Sequence, residues 1–450
     1  MVRRLRRYRR RVNASAPASS FVGLGRSRQS QIYGQGVLGR RPAVPVGFAE
    51  LERRAQAASS PTAWAYVAGG AGEGRTMRNN RAAFDRWAIV PRMAHGVTER
   101  DLSTTVAGTA LRAPLLLAPV GAAALVAEDS DLAIAAAAEA TSVPYIYSNQ
   151  GCNPMEDCAA AMPSTPKWVQ LYWSTDEQLV DSLIGRAEAI GAGALVVTLD
   201  TTTLGWRPQD LSLGSLPFAQ GLGLAQYTSD DRFLQIVADR IAAARTSGTK
   251  AATEVTTGAI RSLLKISASF PGGLWSNLRA PEPRAAVETF LDIYSNPGLS
   301  WDHLATLRSR TGLPIVLKGI MHPDDAVRAF EMGVDAVVVS NHGGRQVDGS
   351  LASLDALPGV REAVGADATV LFDSGIRTGA DVFTALALGA DAVLLGRPHV
   401  YGLAVAGQRG VEEVITNVLA ELDLTMALTG AATIADITPD LLVPNPSFGG

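Results

Sequence analysis

The chain has 450 residues, 47% of them apolar and only 18% charged, with 44 glycines and 24 prolines. Such a composition buries a large core and excludes a wholly disordered protein, and no apolar run reaches the length of a bilayer span, the Ala-rich stretch 132–140 being short and flanked by acids. The net charge of −3 is uneven: seven arginines fall within residues 1–11, so the body is acidic, which argues against the basic face of a nucleic-acid-binding fold.

Residues 1–45, rich in Arg, Ser, Gly and Pro without periodicity, are expected to form a basic, mobile or surface-draped arm with no core of its own. The Arg run leads into Asn13–Ser20 with no apolar stretch, unlike a secretory signal. Gly34-Gln35-Gly36-Val37-Leu38-Gly39 matches the dinucleotide spacing, but no strand precedes it and Pro42 and Pro45 follow, so a nucleotide site is rejected. Phe48–Val67 reads as helical, stopped by the glycine cluster at Gly69–Gly74. Cys152 and Cys158 match no zinc or redox spacing, so no metal site is expected, the thiols are expected to be inert, and a reducing cytoplasm is the expected compartment. His95, His303, His322 and His399 carry no partner pattern and are expected at the surface or in loops.

From residue 114 onward, short apolar runs alternate with amphipathic helical segments. The eight runs are Pro114–Pro119, Tyr145–Ser148, Trp168–Tyr172, Ala194–Asp200, Pro314–Lys318, Ala336–Asn341, Thr369–Asp373 and Ala392–Gly396. Between them lie helical segments such as Asp131–Ala140, Glu177–Ile190, Pro323–Met332 and Gly379–Leu388. Near-continuous apolar runs suit strands buried on both faces, and the alternation implies parallel βαβ units. Eight units predict a closed (β/α)8 TIM barrel over residues 46–435, an open doubly wound sheet being the alternative, with 436–450 as a C-terminal tail. Between Ala194 and Pro314 the spacing lengthens several-fold, placing an insertion at 208–300 after the fourth strand. There it hangs over the face that carries active sites in this architecture, as a lid or as an ordinary decorating or oligomer-contacting subdomain.

Polar residues gather where these strands end. Gly375, Arg377, Gly396 and Arg397 close the last two strands beside a helix opening at Thr378-Gly379, which fits a phosphate held by backbone N–H groups and guanidinium. His342 and Arg345 are three apart in a glycine-rich loop, a base beside a two-pronged anion clamp, and suggest a carboxylate substrate.

The run Ser340-Asn341-His342-Gly343-Gly344-Arg345-Gln346-Val347-Asp348, together with Leu317-Lys318-Gly319, Thr198-Leu199-Asp200-Thr201 and Leu204-Gly205-Trp206-Arg207, resembles the FMN-dependent L-2-hydroxy-acid oxidase family over roughly residues 46–435. Gly205–Leu211, Leu224–Asp230, Ile293–Pro297 and the long insertion are most similar to its lactate 2-monooxygenase branch. The basic arm and Gly70-Ala71-Gly72-Glu73, where an acidic pair is common, depart from the pattern.

The resemblance implies FMN as cofactor, L-lactate or a related 2-hydroxy acid and O2 as substrates, and assembly as a homo-oligomer, tetramer or octamer. It implies His342 as the base with Asp200 supporting its imidazolium, and Arg345 as the carboxylate clamp aided by Tyr66 and Arg207. Tyr172 would sit near the hydroxyl or keto oxygen and Lys318 at the N1/C2=O edge of the flavin. Pro119, Val120 and Gly121 with Ser148, Gln170 and Thr198 would line the ring system, Ser340 and Asp373 would hold the ribityl chain, and Gly375, Arg377, Gly396 and Arg397 would hold the phosphate. Read from the residues alone, Tyr66, Tyr172 and Gln170 also suit plain core packing. A flavin-free isomerase or aldolase with Lys318 as Schiff base, and a non-catalytic binding subunit, remain alternatives.

Overall fold

The computed structural model describes residues 23–247 and 256–448. The arginine run at 1–11 lies outside the described residues. Eight parallel strands, β1 (Leu115–Leu117), β2 (Tyr145–Tyr147), β3 (Lys167–Leu171), β4 (Leu195–Thr198), β5 (Ile315–Ile320), β6 (Ala336–Val339), β7 (Thr369–Phe372) and β8 (Ala392–Leu395), close into a barrel. Each strand pairs with the next, and Val393 against Leu115 closes the ring. The closed barrel is a (β/α)8 TIM barrel, and each strand falls on one of the eight apolar runs.

Period two decides which side chains go where. Leu116, Ile146, Trp168, Val196, Val316, Val338, Leu371 and Leu394 form one buried cluster inside the barrel. Their neighbours, among them Leu115, Leu117, Tyr145, Val169, Leu195, Leu317, Val337 and Phe372, belong to the outer cluster beneath the helices. A hairpin of Thr104–Val106 and Thr109–Leu111 plugs the N-terminal end: Val106 and Leu111 join the interior cluster, and Trp168 Nε1 donates to Thr109 Oγ1 at 3.1 Å.

The helical reading of 48–67 divides at Ser60-Pro61 into helices Phe48–Ala58 and Pro61–Ala68, because proline opens a helix and the Ser60 hydroxyl caps it. The described part of the arm, from residue 23, is draped on the barrel's surface as a helix. Helix Leu24–Val37 docks on the long closing helix Arg397–Thr429, with Gly25 N donating to Asp423 at 2.8 Å and Arg28 Nε to Asn417 at 2.8 Å. Its packing escaped periodicity because it rests on polar bonds and on one close approach, a Cβ at Gly25 standing 2.6 Å from the Ala420 carbonyl oxygen. The C-terminal tail likewise contributes a strand, Leu442–Pro444, paired with Trp87–Ile89. Among the described residues no helix is long and apolar enough to cross a membrane.

The insertion is helical, its longest segments being Asp231–Ser247, Thr257–Ser269 and Glu282–Ile293. An aromatic cluster fastens it to itself, Phe290 lying 4.8 Å from both Tyr227 and Tyr294 and 5.6 Å from Phe218. Arg186, on the barrel helix Glu177–Ala189, reaches Asp230 at 3.3 Å, and Ser174 donates to the Ile293 carbonyl at 2.7 Å.

Candidate active site

Two residues beyond each interior core position stands the next inward side chain, and together these form a ring at the C-terminal rim: Ala118, Ser148, Gln170, Thr198, Lys318, Ser340, Asp373 and Gly396. The ring is bonded side to side. Ser148 donates to Gln170 Oε1 at 3.2 Å and Gln170 Nε2 to Thr198 Oγ1 at 2.9 Å. Lys318 Nζ donates to Ser340 Oγ at 2.8 Å, 3.0 Å from Asp373 and 4.0 Å from Asp200. Burial opposes the charge on Lys318, but Asp373 and then Asp200 outweigh it and raise its pKa.

The loop after β6 carries His342 and Arg345. His342, Gly343 and Gly344 are all left-handed, with φ of 57°, 64° and 74°. For histidine this conformation is uncommon and strained by roughly 1 kcal/mol or more. Asn341 pins the turn: its Oδ1 accepts from Gly344 N at 3.1 Å, and it forms a reciprocal amide pair with Asn80 at 2.8 and 2.7 Å. His342 Nδ1 thereby meets Asp200 Oδ1 at 2.7 Å, with Thr201 Oγ1 at 3.3 Å. A carboxylate there selects the Nδ1–H tautomer and leaves Nε2 as the proton acceptor. Burial lowers the pKa of His342 against the pull of Asp200, so the ring is a neutral base. Burial also opposes ionisation of Asp200, yet His342 and Lys318 hold its carboxyl at about 2.

Arg345 Nη1 donates to the carbonyls of Tyr66 and Gly69 at 2.5 and 2.9 Å, and the guanidinium lies 4.9 Å from the Tyr66 ring centroid. Burial, then the neighbouring Arg207, lowers its pKa to about 9, so an arriving carboxylate relieves the cation's isolation. Burial raises the pKa of both Tyr66 and Tyr172, leaving two protonated phenols in the wall. Asp210, buried at 7% exposure, has an Oδ1 with no hydrogen-bond partner; burial raises its pKa while Arg345 and Arg207 pull it down.

At the other end stand Arg377 and Arg397. Arg397 donates to the carbonyls of Val67, Gly343 and Gly69 at 3.1, 3.1 and 2.8 Å, and Arg377 to that of Ile376 at 2.9 Å. Neither forms an ion pair among the described residues. Burial and then Arg397 lower the pKa of Arg377 to about 10, and burial lowers that of Arg397. Gly375, at φ 106°, lies so close to the helix Arg75–Asp85 that a Cβ would stand 2.7 Å from the Asn80 carbonyl oxygen.

These groups line one cleft of about 1030 Å³, its mouth included. Of the residues singled out in the sequence, Tyr66, Pro119, Val120, Gly121, Gln170, Tyr172, Arg207, Lys318, His342, Arg345, Asp373, Gly375, Arg377, Gly396 and Arg397 are in its wall. Asp200, Ser148, Thr198 and Ser340 stand one layer behind, bonded to His342, Gln170 and Lys318. Sequence reasoning gave no site role to Gln150, Leu204, Phe218 and Tyr294, which also stand in the wall, although Leu204 and Tyr294 lie in the motifs that carry the resemblance. Gln150, two residues past Ser148, was within reach of the period-two argument and Tyr294 lies in the Ile293–Pro297 motif, whereas Phe218 comes from the insertion, where no local signal marks it. His399 is a correction: it is fully buried, its Nδ1 2.7 Å from the Leu395 carbonyl, and burial takes its pKa to about 4. It closes the β8 turn as a core residue. Burial raises Cys152 to about 12 and raises Cys158, leaving both as neutral thiols.

The FMN-dependent dehydrogenase family matches residues 55–444. An FMN-dependent alpha-hydroxy acid dehydrogenase of Penicillium citrinum is 41% identical over 417 residues, covering 92% of this chain and 95% of the relative. An L-lactate oxidase of Lysinibacillus sphaericus is 39% identical over 401 residues, covering 89% and 93%. The chain belongs to the FMN-dependent dehydrogenase family. Among solved structures, a mandelate oxidase with (S)-4-hydroxymandelic acid aligns with TM-score 0.70 at 30% identity, covering 89% of this chain and 98% of that one. The residues fit the cofactor: two half-buried guanidiniums with no ion pair among the described residues are short of the negative charge that a phosphate brings. The cofactor is FMN, which sets aside the flavin-free isomerase or aldolase.

Proposed function

We propose that the protein oxidises L-lactate and decarboxylates the resulting keto acid before it leaves, giving acetate, CO2 and water from lactate and one O2. When bound, FMN supplies a two-electron acceptor that O2 re-oxidises. Gly375, Arg377, Gly396 and Arg397 would hold its phosphate, Asp373 with Ser340 behind it would hold its ribityl chain, and Pro119, Val120, Gly121, Gln170 and Lys318, backed by Ser148 and Thr198, would line the ring system. Arg345 takes the substrate carboxylate with two parallel hydrogen bonds, and Arg207 adds a second positive charge. His342 Nε2 accepts the proton lost from the hydroxyl-bearing end of the substrate, and Asp200 stabilises the imidazolium. Tyr172 hydrogen-bonds the hydroxyl oxygen, which becomes the keto oxygen.

The observation that carries the decarboxylating reading is the insertion's share in the cleft wall. Phe218 and Tyr294, both from the insertion, stand in its wall, and Phe218 meets Tyr66 edge to face at 6.1 Å. A covered cleft holds pyruvate beside newly formed hydrogen peroxide, and the two together yield acetate, CO2 and water. The name of the L-lactate oxidase relative favours a second reading, in which pyruvate and hydrogen peroxide simply leave. The product balance separates them: purified holoenzyme is given L-lactate in air and acetate, pyruvate and peroxide are assayed together. Acetate without equivalent peroxide is expected; equimolar pyruvate and peroxide would overturn the decarboxylating reading and leave the oxidase one. Assembly as a homo-oligomer belongs to the same proposal, and light scattering tests it.

A further inference from the structure

Next to the His342–Asp200 pair lies an amide whose whole hydrogen-bonding capacity goes to one short segment. Gln346 Nε2 donates to the main-chain oxygens of Asp200 at 2.6 Å and Thr203 at 2.9 Å. Its Oε1 accepts from Arg207 Nη2 at 2.9 Å and Gly205 N at 3.4 Å. All four partners lie on the stem, residues 200–207, that leads from β4 into the insertion. Arg207 Nε completes the contact by donating to the Arg345 carbonyl at 3.1 Å.

The backbones are pressed together at the same place. A Cβ at Gly205 would stand 2.6 Å from the Arg345 carbonyl oxygen and 2.7 Å from that of Gln346, so space alone requires glycine. Farther along, the insertion is tied to the barrel independently, by Arg186 to Asp230 and by Ser174 to Ile293. The stem, in contrast, rests on the loop that carries the base and the carboxylate clamp: His342 meets Asp200 and Arg207 reaches the Arg345 carbonyl, and the amide of Gln346 makes the most bonds between them, four in all.

We propose that Gln346 is a positioning residue that fastens the stem, and with it Arg207, onto the His342–Arg345 loop, so that breaking its two donated bonds releases the keto acid early. The proposal rests on the reading that the insertion retains product. Only an amide serves here, because two carbonyls need donors while a guanidinium and an N–H need an acceptor. Glutamate has the same shape and keeps the contact with Arg207, but turns both donor positions into oxygens facing carbonyl oxygens. Gly205→Ala attacks the same junction from the other side with Gln346 intact.

The test compares wild-type holoenzyme with Gln346→Glu and Gly205→Ala. Three quantities are measured: pyruvate dissociation from the oxidised holoenzyme by stopped-flow flavin absorbance, flavin reduction at saturating L-lactate, and amide hydrogen exchange across 201–207. Both variants are expected to release pyruvate about tenfold faster or more, as loss of two hydrogen bonds allows, and to exchange faster across the stem, while saturated reduction changes by less than about threefold. Where Gly205→Ala does not fold, the near-isosteric Gln346→Glu decides alone. Wild-type release and exchange in Gln346→Glu would overturn the proposal, as would a fall in reduction as large as the gain in release. If wild-type enzyme yields pyruvate and peroxide, the decarboxylating reading falls, but dissociation and exchange still decide the role of Gln346.

Discussion

His342 Nδ1 lies 2.7 Å from Asp200 Oδ1, although 142 positions separate them, and each sets the ionisation of the other. Burial lowers the pKa of His342 from 6.5 while Asp200 raises it, so the base is neutral above a pKa that lies below 6.5. The rate of flavin reduction at low lactate therefore rises with pH through that pKa. Asp200→Asn removes the group that favours the imidazolium, so the acid limb moves to lower pH and the maximal rate falls by about 10²-fold or more. Stopped-flow reduction across pH checks both, and a limb that moves upward would contradict the assignment. Asp200 also links to stability: its folded pKa of about 2 lies below the unfolded value of about 3.9, so its contribution is present above pH 4 and is lost as pH falls through about 2.

His342→Ala is expected to retain yellow, FMN-bound protein while lactate no longer reduces the flavin. Absorbance after anaerobic mixing reads both properties at once. Undiminished reduction would remove His342 from the role of base.

Arg345→Lys keeps a charge but loses the planar pair of donors. Lactate binding is expected to weaken by about ten- to a hundredfold, the scale of a charge-assisted hydrogen bond, with a smaller effect on reduction at saturation. An unchanged KM would count against the carboxylate clamp.

Asp210→Asn removes a buried carboxyl that interacts with Arg345 and Arg207. Carboxylate ligands are expected to bind about threefold tighter or more, because less negative charge competes for the two guanidiniums. Pyruvate titrations followed by flavin absorbance measure this, and weaker binding would show that Asp210 assists the anion.

FMN-free protein carries Arg377 and Arg397 without an anion, so phosphate should raise its Tm with the logarithm of its concentration above Kd, by roughly 2.7 kcal/mol of stability at a hundredfold excess. Arg397→Gln is expected to abolish most of this gain while weakening FMN retention. A thermal-shift series with sodium phosphate against sodium chloride at equal ionic strength separates the specific effect from screening.

The ring of Ser148, Gln170, Thr198, Lys318, Ser340, Asp373 and Gly396 was readable before any coordinates, because a strand's side chains alternate and each apolar run announces where its strand ends. The His342–Arg345 loop stood out too, since one short glycine-rich segment carries both a histidine and an arginine, and the structure places both in the cleft wall. Phe218 was not readable, and neither was the docking of helix Leu24–Val37, whose polar surface has no apolar stripe to betray its partner.

By itself, the sequence determined eight strands, their inward faces and the polar residues at their ends, all of which follow from the order of neighbouring residues. Only the tertiary structure decided that Asp200 meets His342, that Gln346 clasps the 200–207 stem, and that two insertion aromatics stand in the cleft wall. Those contacts exist only once barrel closure has brought the ends of distant strands onto one rim, and no local pattern encodes which loops then touch.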